Sequence, residues 1–136
     1  MKLVGRKTFL GFPEGTVFCK FPLNDEGDAS KMTFGMGSPC IKGETIGNDF
    51  FSCTLGEEMQ PVNANDSKEL FDIFFDMQKN LGKEVPFELA GGRDGFLDDE
   101  NVGFMVYSRE EIQEMINELN HCLLLLSSSA SEQKMW

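Results

Sequence analysis

Segments with strand character fill the first half of this chain, and two long helical segments follow without alternating with them. Short runs rich in Phe, Val and Thr lie at 8–12 and 16–21, and their composition is typical of β-strands. Two further runs, at 41–46 and 49–55, are predicted as strands of a second hairpin. This order disfavours repeated βαβ units and favours an antiparallel sheet. The sequence therefore predicts an α+β fold, in which an antiparallel sheet built from hairpins carries two amphipathic helices packed on one face.

Glycine and proline mark the reversals between the predicted strands. A proline–glycine turn at 13–15 predicts a hairpin between the first two runs, and Gly47-Asn48 predicts a second hairpin between the later two. Further elements are predicted as strands at 32–34, 85–89 and 102–107 and as a turn at 91–95.

Both predicted helices begin with a capping box. Asp66 and Glu69 open the first, and Ser108 and Glu111 open the second, because an acidic residue three positions after the cap can return the cap's hydrogen bond. Gly82 is predicted to end the first helix. The second helix is predicted to bury one apolar face, which consists of Ile112, Met115, Ile116, Leu119, Leu123 and Leu126.

The length fits one domain with a core of its own. We predict a single α+β domain over 1–126 and a flexible polar tail at 127–136. The chain shows no membrane-spanning run and no secretory leader, so a cytoplasmic, reducing setting is expected. The four cysteines, none of which forms a C-x-x-C pair, are accordingly expected as free thiols.

Negative charge is concentrated in the later part of the chain. Residues 1–42 hold six basic and four acidic residues, whereas residues 43–136 hold six basic and nineteen acidic ones. An excess of acid disfavours direct binding to nucleic acid or to anionic lipid. The predicted partner is a host protein with a basic surface or a small anionic ligand, and a homo-oligomer is an open possibility.

The supply of metal-binding and catalytic side chains is small. His121 is the single histidine, which excludes sites that need two or more. The acidic residues at 94 and 98–100 do not match the spacing of a calcium-binding loop, so a solvated turn is the simpler interpretation. No catalytic residue, metal site or cofactor is predicted.

One glycine-rich segment and one separate arginine are candidates for binding an anion. Gly91, Gly92 and Arg93 could form a backbone nest beside an arginine, and Arg109 is the other arginine in the acidic part of the chain. The segment lacks the Walker lysine and the dinucleotide spacing. The structural alternative is an ordinary turn with an internal ion pair between Arg93 and an aspartate.

The exterior of the second helix is the main candidate for a protein interface. It would form a negative ridge if its acids share a face with a nearby acidic corner, and the alternative is an ordinary solvated helix exterior. The predicted ridge consists of Asp98, Asp99, Glu100, Glu110, Glu114 and Glu118.

Several short motifs together resemble small uncharacterised α+β proteins encoded by phages and prophages. These are FPEGTVF at 12–18, IKGET at 41–45, NDFF at 48–51 and RDG at 93–95, with a strand that ends in Val-Tyr before an acid-capped helix. The resemblance implies an accessory protein that acts by binding and blocking host machinery.

The sequence thus predicts a noncatalytic binding protein, of a phage-type accessory or anti-defence kind. It would block a host protein or sequester a small anionic ligand. Two alternatives are a small carboxylate-dependent hydrolase and a self-associating structural or assembly protein. The basic N-terminal part would meet the acidic part of another copy in the latter.

Overall fold

A computed structural model describes residues 1–23, 37–56, 59–95 and 102–129 and confirms the α+β class. The elements are β1 (Lys2–Val4), α1 (Arg6–Leu10), β2 (Val17–Pro22), β3 (Cys40–Ile46), β4 (Asp49–Thr54), β5 (Met59–Pro61), α2 (Ser67–Lys79), β6 (Phe87–Leu89), β7 (Gly91–Arg93), β8 (Val102–Val106) and α3 (Arg109–Ser129). Six antiparallel strands form the main sheet in the order β1-β8-β2-β3-β4-β7, and β5 pairs with β6 in a separate two-stranded sheet.

The hairpin predicted around Gly47 is confirmed, and it joins β3 to β4. Gly47 adopts a φ of 61°, a left-handed conformation that favours glycine in tight turns.

The centre of the sheet depends on pairing between strands that are distant in sequence. Strand β8 lies between β1 and β2, and Met105 pairs with Leu3 on one side and Cys19 on the other.

The prediction of a strand at 8–12 is wrong, because most of this segment belongs to the short helix α1. Gly5 precedes the helix and Gly11 ends it, while the fully buried Phe9 points from it into the core. The predicted hairpin between 8–12 and 16–21 is therefore absent. Its turn persists, since the Thr16 hydroxyl donates to the carbonyl of Pro13 at 2.7 Å.

Four phenylalanine rings form the centre of the core. Phe9 stacks on Phe104 with ring centroids 4.2 Å apart. It also meets Phe18 edge-on at 4.6 Å and Phe50 at 5.1 Å. Edge-to-face and stacked rings are the favourable geometries for aromatic pairs. The cluster joins α1 to three strands of the sheet.

A lysine is buried beside this cluster. Lys42 is 2% exposed, and its amine donates to the Thr45 hydroxyl at 2.6 Å and to the Gly43 carbonyl at 3.2 Å. The amine lies 5.9 Å from the centroid of Phe9. Burial lowers the pKa of Lys42, because leaving water disfavours the charged form.

Two buried aspartates fix one end of the sheet. Asp49 accepts hydrogen bonds from its neighbour Phe50 N, from Gly95 N and from Arg93 Nε. Burial alone would raise the pKa of Asp49, but these donors hold it below its usual range. Asp94 forms ion pairs with Arg6 at 2.9 Å and Lys20 at 2.7 Å. These contacts connect α1, β2 and the chain around β4 and β7.

The capping box of Ser108 and Glu111 is confirmed, with both of its hydrogen bonds present. In the first box Asp66 accepts from Glu69 N at 2.8 Å as predicted, but the Glu69 carboxylate accepts from Asn65 N and not from the cap residue itself. Helix α2 is capped at its end by Asn80, whose backbone N–H donates to the carbonyl of Asp76. Gly82, predicted as the end of this helix, lies two residues farther on with a φ of 92°. Helix α3 runs to Ser129, three residues into the predicted tail. The remainder of that tail and the predicted strand at 32–34 lie outside the described residues.

The predicted apolar face of α3 is half-buried at its start and exposed farther along the helix. Ile112 and Met115 are half-buried, whereas Leu119 is 66% exposed and Leu123 is 61% exposed. The helix that covers the phenylalanine core is the short α1. The second half of α3 therefore extends away from the described core.

We expect Phe9→Ala to lower the free energy of unfolding by about 3–5 kcal/mol, because it empties the centre of a fully buried ring cluster. Urea unfolding followed by circular dichroism measures this loss. Phe75→Ala is the control, since Phe75 is exposed on α2 and its truncation should cost less than about 1 kcal/mol. Equal losses in the two variants would contradict the assignment of Phe9 to the centre of the core.

Candidate functional site

An apolar groove lies between α3 and the ends of several strands. It has a volume of about 760 Å³, within the range of sites that hold a ligand or part of a partner protein. One wall is α3. The full lining is Met1, Pro39, Leu55, Gly56, Tyr107, Glu111, Glu114, Met115, Glu118 and Leu119.

An ion pair at the chain's first residue holds α3 against the sheet. The ammonium group of Met1 donates to Glu111 Oε1 at 2.6 Å. The same oxygen accepts from Ser108 N at 2.9 Å, and Ser108 Oγ accepts from Glu111 N at 3.2 Å. Because Met1 precedes β1, the capping box of α3 is tied directly to a strand of the sheet.

Glu111 remains ionised under all ordinary conditions. The hydrogen bond from the N-terminal ammonium, followed by those from Ser108, lowers the pKa of Glu111 from 4.5 to about 2. Charge-assisted hydrogen bonds of this kind favour the carboxylate. Glu111 therefore serves to position α3, and its charge is already balanced by Met1.

Glu114 and Glu118 provide the charge that is available to a partner. They are four residues apart, so they occupy the same side of α3, and both line the groove. No described residue forms an ion pair or hydrogen bond with either carboxylate. The groove therefore combines an apolar interior with two exposed negative charges on one wall.

Tyr107 contributes a neutral surface to the groove. Its hydroxyl lies near the thiol of the buried Cys19, and burial raises the pKa of both groups. Both groups are therefore protonated near neutral pH, and the thiol is not an activated nucleophile.

Three residues of the predicted acidic ridge, Glu110, Glu114 and Glu118, are four residues apart along α3 and therefore share one side of the helix. Glu114 and Glu118 line the apolar groove, whereas Glu110 lines a shallower groove on α3, which it shares with Arg109 and Glu114. Asp98, Asp99 and Glu100 lie outside the described residues. Two of the six predicted residues thus belong to the groove described above, and Glu110 lies beside them on the same helix.

The anion-binding candidates occupy different surroundings from those predicted. Gly91, Gly92 and Arg93 form strand β7, which pairs with Phe51–Cys53 of β4, so the predicted turn begins only after them. Arg93 donates to Asp49 at 3.0 Å, which is the internal ion pair considered from the sequence. Arg109 is the first residue of α3.

The remaining chemical side chains form no cluster in the described ranges. No group of three or more His, Cys, Asp or Glu residues there could hold a metal ion. All four cysteines are free, with Cys122 exposed and Cys19 buried. None of the described helices has the length and apolar character needed to cross a membrane.

The chain matches no protein-family model, no curated protein and no solved structure. The geometry of the groove is therefore the basis for assigning a function.

Sequence reasoning identified the acidic side of α3 but missed the groove itself. The Ser108–Glu111 box predicts where the helix begins, but nothing local indicates that Glu111 also binds Met1, which is 110 positions away. Leu55 and Pro39 lie next to strands, and nothing in the sequence around them indicates that they line a groove. Tyr107 is the single tyrosine of the chain, and this rarity is the one signal in the sequence that could have pointed to a lining residue.

We expect Glu111→Gln to reduce thermal stability at neutral pH and to flatten its dependence on acid. The folded-state pKa of Glu111 lies below its ordinary value, so its stabilisation is present above pH 4.5 and is lost as the pH falls toward 2. Thermal unfolding between pH 2 and pH 7 measures the effect. Glu110→Gln, which removes the same charge from the neighbouring residue, should leave the acid dependence unchanged, and identical curves for both variants would refute the role of Glu111.

Proposed function

We propose that the protein is a noncatalytic binding protein whose groove beside α3 captures a basic, apolar segment of another protein. The observation that carries this proposal is the pairing of an apolar groove with Glu114 and Glu118, neither of which has a cationic partner in the described part of the chain. A partner that supplies lysine or arginine beside apolar side chains would satisfy both features at once.

The lining chemistry favours a peptide segment over a small polar ligand. Leu55, Met115 and Leu119 offer aliphatic and thioether surface, and methionine adapts its shape to varied partners. Rim charges such as Glu114 and Glu118 contribute mainly to association rate and choice of partner, whereas apolar burial contributes most of the affinity.

We further propose that the partner is a host protein and that binding blocks it. The resemblance to accessory proteins of phages supports this setting. The net charge of −11 supports it as well, because a strongly acidic protein can occupy a basic surface that otherwise contacts nucleic acid. The protein would then act as an inhibitor.

A carboxylate-dependent hydrolase is the second candidate, because three glutamates line one groove. Glycoside hydrolysis by two carboxyl groups requires them on either side of the scissile bond. Glu114 and Glu118 lie on the same wall, and the Glu111 carboxylate is held by Met1. The arrangement therefore favours binding over catalysis.

Sequestration of a small anion and charge-led assembly have less support. Arg93 already forms an ion pair with the buried Asp49, and Arg6 and Lys20 form ion pairs with Asp94. Since Lys42 is buried as well, much of the positive charge of the N-terminal part is used within the fold. The residues used in this way are Arg6, Lys20 and Lys42, three of the six basic residues between 1 and 42.

A labelled peptide with leucine and lysine at helical spacing provides a direct test. We expect it to bind at low salt and to bind at least about tenfold more weakly to Glu114→Lys/Glu118→Lys, because the reversed charges repel its lysines. Fluorescence anisotropy at increasing salt measures the affinity, which should fall as the charges are screened.

Two controls separate the groove from the overall charge. Glu84→Lys/Glu88→Lys makes the same change in net charge at two exposed residues away from α3 and should leave the affinity nearly unchanged. A peptide with glutamate in place of lysine should not bind. Equal loss in both double variants would indicate binding to the general acidic surface, and the groove would then not be the site.

A further inference from the structure

The apolar residues of α3 follow the spacing of a coiled coil. Ile112, Ile116, Leu119, Leu123 and Leu126 are separated by four, three, four and three residues. This spacing averages 3.5 residues and keeps all five side chains on one narrow stripe of the helix. We call these five residues the α3 stripe.

The α3 stripe is exposed over most of its length. Ile116 is 43% exposed, and the exposure rises to well over half at Leu119 and Leu123. All residues from Asn117 to Ser128 are exposed, so the described core gives this half of the helix little support. A short helix without packing is marginal in water, and a row of exposed leucines marks an interaction surface.

The residues beside the stripe carry no charge. Gln113, Asn120 and Ser127 flank it on one side, and Met115 and Cys122 flank it on the other. These are the positions at which charged residues of two paired helices meet and choose or reject a partner. Glu110, Glu114 and Glu118 lie away from the stripe, so a second copy can approach it without bringing like charges together, despite the net charge of the chain.

We propose that the α3 stripe pairs with the α3 stripe of a second copy and that the protein is a homodimer. The stripe is self-complementary, since one row of isoleucine and leucine packs against an identical row. The contact is apolar, unlike the head-to-tail contact of opposite charges considered from the sequence. Pairing also supports the last turns of α3, which the core leaves exposed.

The dimer and the groove are separate features of the same helix. Glu114 and Glu118 lie on the groove side, and Leu123 belongs only to the stripe. Leu119 belongs to both, so it is unsuited to a test of either. The dimer does not rest on the proposed peptide binding, and each can fail without the other.

Sedimentation equilibrium of the full chain over a range of micromolar concentrations tests the proposal. We expect a wild-type mass near twice that of the chain, and for Leu123→Glu a dimer at least about tenfold weaker, since the variant places a charge inside the seam. Leu124→Glu is the matched control, because it adds the same charge at the adjacent residue, which is 67% exposed and lies outside the stripe. It should remain dimeric.

Each other outcome would overturn the proposal. A wild-type monomer throughout the range would show that the stripe does not pair with a second copy. A dimer that Leu123→Glu and Leu124→Glu weaken equally would indicate an effect of charge alone. A dimer that survives Leu123→Glu but is lost in Phe75→Ser would assign the contact to the exposed rings of α2. Circular dichroism of each variant confirms that the core remains folded.

Discussion

The packing of Phe9 against Phe18, Phe50 and Phe104 is the interaction on which the rest of the structure depends. The three partner rings come from β2, β4 and β8, and Phe9 brings α1 onto all of them. With α1 in place, Arg6 reaches Asp94 and the carbonyl of Asn48, and the amine of Lys42 lies against Phe9. This cluster of aromatic rings therefore determines where the buried charges lie.

The elements that could be predicted are those whose cause is local. Asp66 with Glu69 and Ser108 with Glu111 define helix starts within four residues, and Gly47 defines a hairpin from its own backbone conformation. Helix α1 could not be predicted in this way, because its residues have the composition of a strand and their conformation depends on Phe9 being buried by distant strands. The groove was unpredictable for the same reason, since it requires Met1 to contact Glu111.

Helix α3 presents two kinds of surface, acidic side chains beside a groove and a row of exposed leucines. Its first turns are fixed by the Met1–Glu111 ion pair and present Glu114 and Glu118 beside the groove, whereas its later turns present leucines. The acids and the leucines occupy different sides of the same helix, so the proposed peptide and the proposed second copy would contact different sides of α3. A pairing of two copies would place two grooves in one particle, and a partner with two matching segments would then be held more tightly by both than by either alone.

The two edge strands of the main sheet offer little opportunity for pairing with a strand of another molecule. Its two edge strands, β1 and β7, are each three residues long, and they carry Lys2 and Arg93. Short, charged edges provide a poor template for the addition of a strand from another chain. Among the described elements, addition of a strand from another molecule to either edge of the main sheet is therefore disfavoured, and fibre-like stacking through these edges is disfavoured with it.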